Sequence, residues 1–301
     1  MTDHLKGLLI TTLGVLFLVP DSLFIRLIEA DALAIAFWRG LIAGVLILGF
    51  VLLREGAGAV GQVLRAGRPS FFYILFFGVS APGFVLAITL TSVANVVFII
   101  ASMPVFAAIF SRLWLREPIS RRMIWTMLGV FAGLGVILWG SHERAGASWQ
   151  GDLVALGVSA SFAAALTAVR GLRTRSMLPA VPVAMIGAAL LMLPFTDVMA
   201  PVARQWPLLL GHGAFIAFAA GLMVLGPRYL SSAEVSLLIL LESVLAPLLV
   251  WFAIGEDPGP WALAGGGAVI CVLLVSNLVM LAQVRRKRAL GNVSGLNSAP
   301  P

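Results

Sequence analysis

Three ionisable side chains, Asp21, Arg39 and Glu242, stand inside long apolar runs of this 301-residue chain. An ionised group costs ~2.5–3.5 kcal/mol at the centre of a hydrocarbon layer even on the milder insertion scales, so such residues point to function by default. Asp21 lies about seven residues from the end of its run and Arg39 about eight from the start of the next, roughly 10 and 12 Å deep at about 1.5 Å per residue. The connection between the two runs is very short, so the matched depths predict that Asp21 and Arg39 face each other and pair. Such a pair serves either as a packing salt bridge or as an outer gate and anchor for a zwitterionic solute, and Arg39 alone can also snorkel outward. Glu242 is about eleven residues into its own run, near the middle at that rise. A carboxyl there stays ionised only with a partner, the property a proton-coupling site requires; a protonated carboxyl bonded to a backbone carbonyl for packing is the alternative.

Weaker candidates surround these three. Pro20 lacks an amide hydrogen and so frees a carbonyl one turn earlier, where an exposed backbone group can bind solute or permit bending. Pro104 and Pro247 occupy near-equivalent positions in two similar segments and read as paired hinges. Tyr73, Phe77 and Ser80 share one face at helical spacing, either a cavity wall with a polar handle or plain packing. Thr91-Ser92 opens a helix with Asn95 one turn in, close enough to reach a cavity. Ser231-Ser232-Ala233-Glu234 fits a capping box, and Glu117 and Glu256 are expected at solvated helix ends. His212 reads as a hydrogen-bonded packing residue ahead of a pH sensor, and Cys271 as a small buried hydrophobe. HExxH, GxSxG, Walker A and paired-cysteine spacings are all missing from the sequence, so it assigns no catalytic residue, metal site or cofactor.

The elements that must position these residues follow from composition. Hydrophobic residues make up 60% of the chain and charged ones 11%, with a mean hydropathy of +1.05. A soluble domain carries about 25% charged residues, so a polytopic membrane protein remains. A single cysteine excludes a disulfide scaffold. Ten apolar runs reach the ~20 residues a membrane crossing needs: 6–28, 32–53, 70–89, 92–115, 121–140, 151–170, 180–198, 207–226, 232–254 and 260–283. With the N-terminus cytoplasmic, sixteen of the twenty Lys and Arg fall on the inner side, including Arg54, Arg116, Arg173 and the run Arg285 to Arg288. That asymmetry obeys the positive-inside rule and places both termini in the cytoplasm. The net charge of +7 therefore reflects topology, not nucleic-acid binding. Trp149, Trp206 and Trp261 fall near outer interfaces, as an aromatic belt requires. Gly129 and Gly133 in the fifth run, and Gly265 to Gly267 in the tenth, are small residues that allow close helix approach.

An internal repeat orders the runs. Pro104-Val105-Phe106-Ala107-Ala108 through Arg116-Glu117 aligns with Ser243-Val244-Leu245-Ala246-Pro247 through Gly255-Glu256 at an offset of 139. Lys6-Gly7 to Arg26 aligns with Gln150-Gly151 to Arg170 at an offset of 144. The chain divides into a first five-helix repeat over 1–141, a second over 150–284, and a basic tail without periodicity over 285–301, expected to be disordered. Five is odd, so the second repeat is inverted, an arrangement that transporters use to place solute near the midplane between halves.

These segments, each followed by a Gly-rich helix, resemble the EamA repeat of the drug/metabolite transporter superfamily, from about residue 7 to 283. The resemblance implies an all-α integral membrane protein of ten helices with a cavity built by helices 1, 3, 4, 6, 8 and 9, helices 5 and 10 serving as scaffold. It implies a secondary carrier in the inner membrane that moves an amino acid or an amphipathic metabolite or drug by alternating access, with export favoured and proton coupling through Glu242. A monomer suffices for that reading. Two departures stand out: Val19-Pro20-Asp21 where the family shows Trp-Gly and a small polar residue, and Ser243 where Pro follows the Glu. The rival class is a membrane enzyme or scaffold that transports nothing.

Overall fold

The computed structural model describes residues 3–141, 148–169, 177–225, 229–230 and 232–296. Among them every regular element is helical: α1 (Asp3–Leu18), α2 (Asp21–Leu27), α3 (Ala32–Arg54), α4 (Gly58–Leu64), α5 (Arg68–Leu90), α6 (Val93–Ile100), α7 (Met103–Trp114), α8 (Arg121–Gly140), α9 (Trp149–Ala168), α10 (Ala180–Met192), α11 (Val202–Leu225), α12 (Ser232–Ile254) and α13 (Gly259–Leu296), with a 3₁₀ turn at Leu193–Phe195. Nine helical segments among the described residues are long and apolar enough to cross a membrane. The seventh sequence run becomes the shorter apolar helix Ala180–Phe195.

Two of the apolar runs are each split in two. The first breaks at Val19-Pro20: Val19 N still donates to Val15 O (3.0 Å) and Phe24 N to Pro20 O (2.9 Å), but Pro20 has no hydrogen to offer Leu16. The fourth breaks at Ala101-Ser102, and Pro104 lies in the first turn of α7, a position proline tolerates. Pro247 instead sits inside a continuous α12, so the expected pair of hinges is one break and one unbroken helix. α11 starts earlier than expected, at Val202, and carries a kink at Gln205 ahead of Pro207. α4 occupies a stretch read as a loop. The backbone of α13 stays helical to Leu296, through most of the segment read as a disordered tail; Arg285-Arg286-Lys287-Arg288-Ala289-Leu290 are all strong helix formers.

Packing pairs the halves. α1 lies on α11, α3 on α10, α5 on α9, α6 on α12 and α8 on α13. The α8–α13 crossing depends on small residues: a Cβ on Gly133 would stand 2.8 Å from the Gly265 carbonyl, and one on Gly265 would stand 2.6 Å from the Gly133 carbonyl. Arg122 near one end of α8 bonds Ser276 O at 2.5 Å, while Gly140 at the other end abuts Trp261, so these two helices run antiparallel. α3 and α10 do likewise, with Trp38 donating to Val198 O (2.6 Å) and Gly44 against Ile186. At the centre is α6, whose residues Val93–Ile99 are buried on every side. Cys271 is exposed rather than buried, on a face of α13 turned away from α8.

Candidate functional site

The break at Pro20 sets Asp21 at the head of α2, where α2, α3 and α11 converge. Arg39 of α3 donates to both oxygens of that carboxylate, Nε to Oδ1 at 2.9 Å and Nη2 to Oδ2 at 2.6 Å. His212 of α11 approaches from the other half of the chain, its Nε2 2.6 Å from Asp21 Oδ1. All three are buried, at 2%, 9% and 1% exposure for Asp21, Arg39 and His212. Charges in such surroundings persist only when paired and hydrogen-bonded, and the bidentate fork meets that condition. Aromatic rings enclose the group: Phe24 stacks on the imidazole with centroids 5.4 Å apart, and the Arg39 guanidinium lies 5.6 Å over the ring of Phe84. His212 is flanked by Gly211 and Gly213; a Cβ on Gly213 would fall 2.4 Å from Ile42, so the glycine lets α11 approach α3 closely. His212 is buried and hydrogen-bonded, as read from the sequence, but the sequence did not identify Asp21 as its partner.

Glu242 belongs to α12, which packs on α1 and α2. It lies on a half-buried arc of α12 with Val235, Leu238, Leu245 and Leu249, turned away from the exposed arc of Leu241, Val244, Trp251 and Phe252. Among the described residues no hydrogen bond engages its carboxyl.

A second polar assembly joins the halves where α5, α6, α8 and α9 end or begin. Asp152, fully buried in the first turn of α9, accepts from Thr91 Oγ1 (2.9 Å) and from Asn95 Nδ2 (3.0 Å to Oδ1). Its Oδ2 is bonded by the Ser141 hydroxyl, and Asn95 also donates to Ser141 Oγ at 2.8 Å. A cavity of about 20 Å³, room for about one water, borders Asn95, Ser92, Ser141 and Trp261. Beside it Arg26 pairs with Glu256 (2.8 Å) and donates to Thr91 O (2.9 Å), while Glu256 accepts from Val93 N (2.8 Å). Glu256 is therefore not simply solvated, as its helix-end position suggested, but ties the end of α12 to α2 and α6. Sequence reasoning passed over Asp152; a lone Asp in an apolar run was the available signal, hidden by its place in a first turn where a cap residue is ordinary.

The remaining candidates are not gathered at Asp21. Asn95 belongs to the Asp152 assembly. Tyr73 is buried in a separate apolar cluster, stacked on Phe77 at 5.5 Å, which meets Phe162 edge-on at 5.5 Å. Ser80 turns its hydroxyl back to Phe77 O (2.9 Å), so the polar handle is spent within its own helix. Glu234 contacts His4 at 3.0 Å; Ser231, its expected capping partner, lies outside the described residues. Pro20 adjoins Asp21 directly, Pro104 starts α7 half-buried, and Pro247 is buried within α12.

The comparison with known families decides the identity. The model of the EamA-like transporter family matches twice, over residues 5–139 and 149–278. The chain belongs to the EamA-like transporter family. Its two matches are the two repeats, and the protein is a multi-pass membrane transporter of the drug/metabolite type. The fold is also that of a solved crystal structure with a TM-score of 0.63 at 20% identity, over 93% of this chain and 99% of that one. No curated protein matches the chain.

Proposed function

We propose that this EamA-family protein is a ten-span secondary carrier whose inverted halves alternate access to a small organic solute, an amino acid or an amphipathic metabolite or drug, with export the favoured direction. The antiparallel α3–α10 and α8–α13 contacts support the inversion, because those helices occupy equivalent places in the two repeats. The Ala180–Phe195 helix serves as the seventh span, and the basic loops place both termini in the cytoplasm of an inner-membrane protein. One observation carries the reading: Asp21 and Arg39 from the first half meet His212 from the second in a buried ion-paired group. Ionisable groups buried between halves that must move apart are where coupling and gating are expected. In this reading Asp21 and Arg39 gate the solute path, Pro20 permits α2 to tilt against α1, and Glu242 carries the coupled proton.

The test is solute-driven proton movement in proteoliposomes that enclose a pH-sensitive dye. Amino acids and amphipathic metabolites, added singly under a pH gradient, should elicit a dye response with the wild-type protein. Glu242→Gln should abolish that response. A panel in which no solute moves protons or exchanges radiolabel removes the carrier reading, and a Glu242→Gln protein with an unchanged response removes the coupling role.

A further inference from the structure

We infer, building on the carrier reading, that α2 is a hinged outer plug held shut by one strap, the Arg26–Glu256 ion pair. The cover over the buried Asp21–Arg39–His212 group is thin at this end. Asp21 heads α2, and only Ser22 to Leu27 follow before the helix stops, about 9 Å of helix at about 1.5 Å per residue. That short piece is wedged among α5, α11 and α12, with Ser22 and Ile25 buried at 2% and 3% exposure. Pro20 has no amide hydrogen to give, and among the described residues no main-chain hydrogen bond runs from α2 back into α1. α2 is therefore a short lever on the Val19-Pro20 joint, distinct from the helix that precedes it.

The two ends of the lever are held differently. At its head Asp21 is gripped by Arg39 and His212, and breaking a desolvated pair of that kind is costly. At its foot Arg26 Nε lies 2.8 Å from Glu256 Oε2, with 24% and 22% of the two side chains exposed, so water and salt reach the pair and weaken it. The anchors beneath are fixed. Arg26 Nη2 donates to Thr91 O at 2.9 Å and Val93 N to Glu256 Oε1 at 2.8 Å, and Thr91 is itself tied to buried Asp152. One further bond holds this end, from Glu29 N to Gln205 Oε1 at 2.9 Å, and it is exposed. Because Arg26 ends α2 in the first repeat and Glu256 follows α12 in the second, the halves stay joined at this end while the strap is closed. A lever gripped strongly at its pivot and weakly at its tip opens from the tip. Release of Arg26 then uncovers Ser22 and the solute path behind it with the Asp21–Arg39 fork intact.

The test uses right-side-out membrane vesicles carrying the full-length protein on a Cys271→Ser background, with Ser22→Cys as a reporter behind the plug. Its rate of modification by an impermeant thiosulfonate added outside should rise about two- to fivefold in Arg26→Gln and in Glu256→Gln, as loss of a partly exposed pair allows. Arg26→Lys, which keeps the charge, should label more slowly than Arg26→Gln. Salt at about 1 M should raise the rate on the strapped protein and leave that of Arg26→Gln unchanged. Ser159→Cys, fully buried in α9, should show no change in any background, which separates movement of α2 from general loosening. Ile25→Cys, on the next turn of α2, is the second reporter where Ser22→Cys does not fold. Unchanged labelling of the α2 reporters in Arg26→Gln and Glu256→Gln overturns the inference. So does an equal rise at Ser159→Cys, or a strapped protein whose rate salt leaves alone. Solute-driven proton movement with unchanged labelling would leave the carrier reading intact and the strap refuted. Raised labelling without solute-driven movement would keep the strap and remove the carrier reading.

Discussion

Removing both members of the Asp21–Arg39 pair should cost well under the sum of removing each alone. Asp21→Asn leaves the Arg39 guanidinium at 9% exposure with no counterion, its Nε and Nη2 hydrogens facing an amide that offers one acceptor in place of two. Breaking a buried pair in this way costs about 3–5 kcal/mol, because an uncompensated charge stays behind. Arg39→Gln strands the carboxylate, although His212 at 2.6 Å remains as a partner, so its cost should fall at the lower end of that range. In Asp21→Asn/Arg39→Gln no charge is stranded and the two amides can bond each other. The double variant should therefore be less destabilised than the sum of the singles by about 2 kcal/mol or more, within the range of couplings measured for contacting residues. Against a total stability of about 5–15 kcal/mol, the single losses are large enough to read by denaturant unfolding in mixed micelles. Arg39→Lys should recover only part of the loss, since an ammonium cannot reproduce the two-point fork. Additive single costs, or a folded Asp21→Asn within about 0.5 kcal/mol of wild type, would refute the reasoning that this pair is a desolvated, coupled unit.

Four further outcomes are expected. Gly133→Ala puts a Cβ 2.8 Å from the Gly265 carbonyl and should destabilise by about 1–3 kcal/mol through overpacking, whereas Gly135→Ala, with open space around it, should be neutral or slightly stabilising; both are read by the same unfolding assay. Asp152→Ala leaves the buried Thr91 hydroxyl without its acceptor, while Ser141 keeps Ile137 O and Asn95 keeps Ser141 Oγ, and should cost about 1–3 kcal/mol. Arg26→Gln removes a partly exposed pair and should cost under about 1 kcal/mol, with a loss that shrinks further in high salt. On a Cys271→Ser background, a cysteine at exposed Asp197 should react with an impermeant maleimide from outside the cell and one at Arg65 should not; labelling of position 197 only after permeabilisation would remove the seventh crossing.

How much was legible in advance differs between the fold and the site. Apolar run length located the helices because every backbone group in a bilayer must be satisfied within its own segment. The same rule said little about breaks inside a run: Pro20 and Pro104 coincide with interruptions, while Pro82 and Pro247 lie within continuous helices. Proline lacks the amide hydrogen in every case, but only inside a helix does that remove a hydrogen bond, and neighbouring helices decide whether the chain bends there. The Asp21–Arg39 pair was readable because both depths are counted from one short connection. The third member, His212, was not, being 191 residues from Asp21 in sequence. Asp152 escaped for the same reason, since its partners come from α5, α6 and α8.

By itself the sequence determined that this chain is a multi-pass membrane protein, which stretches are long and apolar enough to be candidate spans, that it repeats and that few charges lie within. Those are consequences of local composition and spacing, since a bilayer tests each segment separately. Only the tertiary structure decided which of those charges are partnered, and by which helices. Asp21 and Glu242 are equally anomalous in an apolar run, yet both oxygens of Asp21 are bonded by distant helices, whereas among the described residues no hydrogen bond engages the Glu242 carboxyl. That difference is set by the convergence of helices from two halves, and no segment carries it alone.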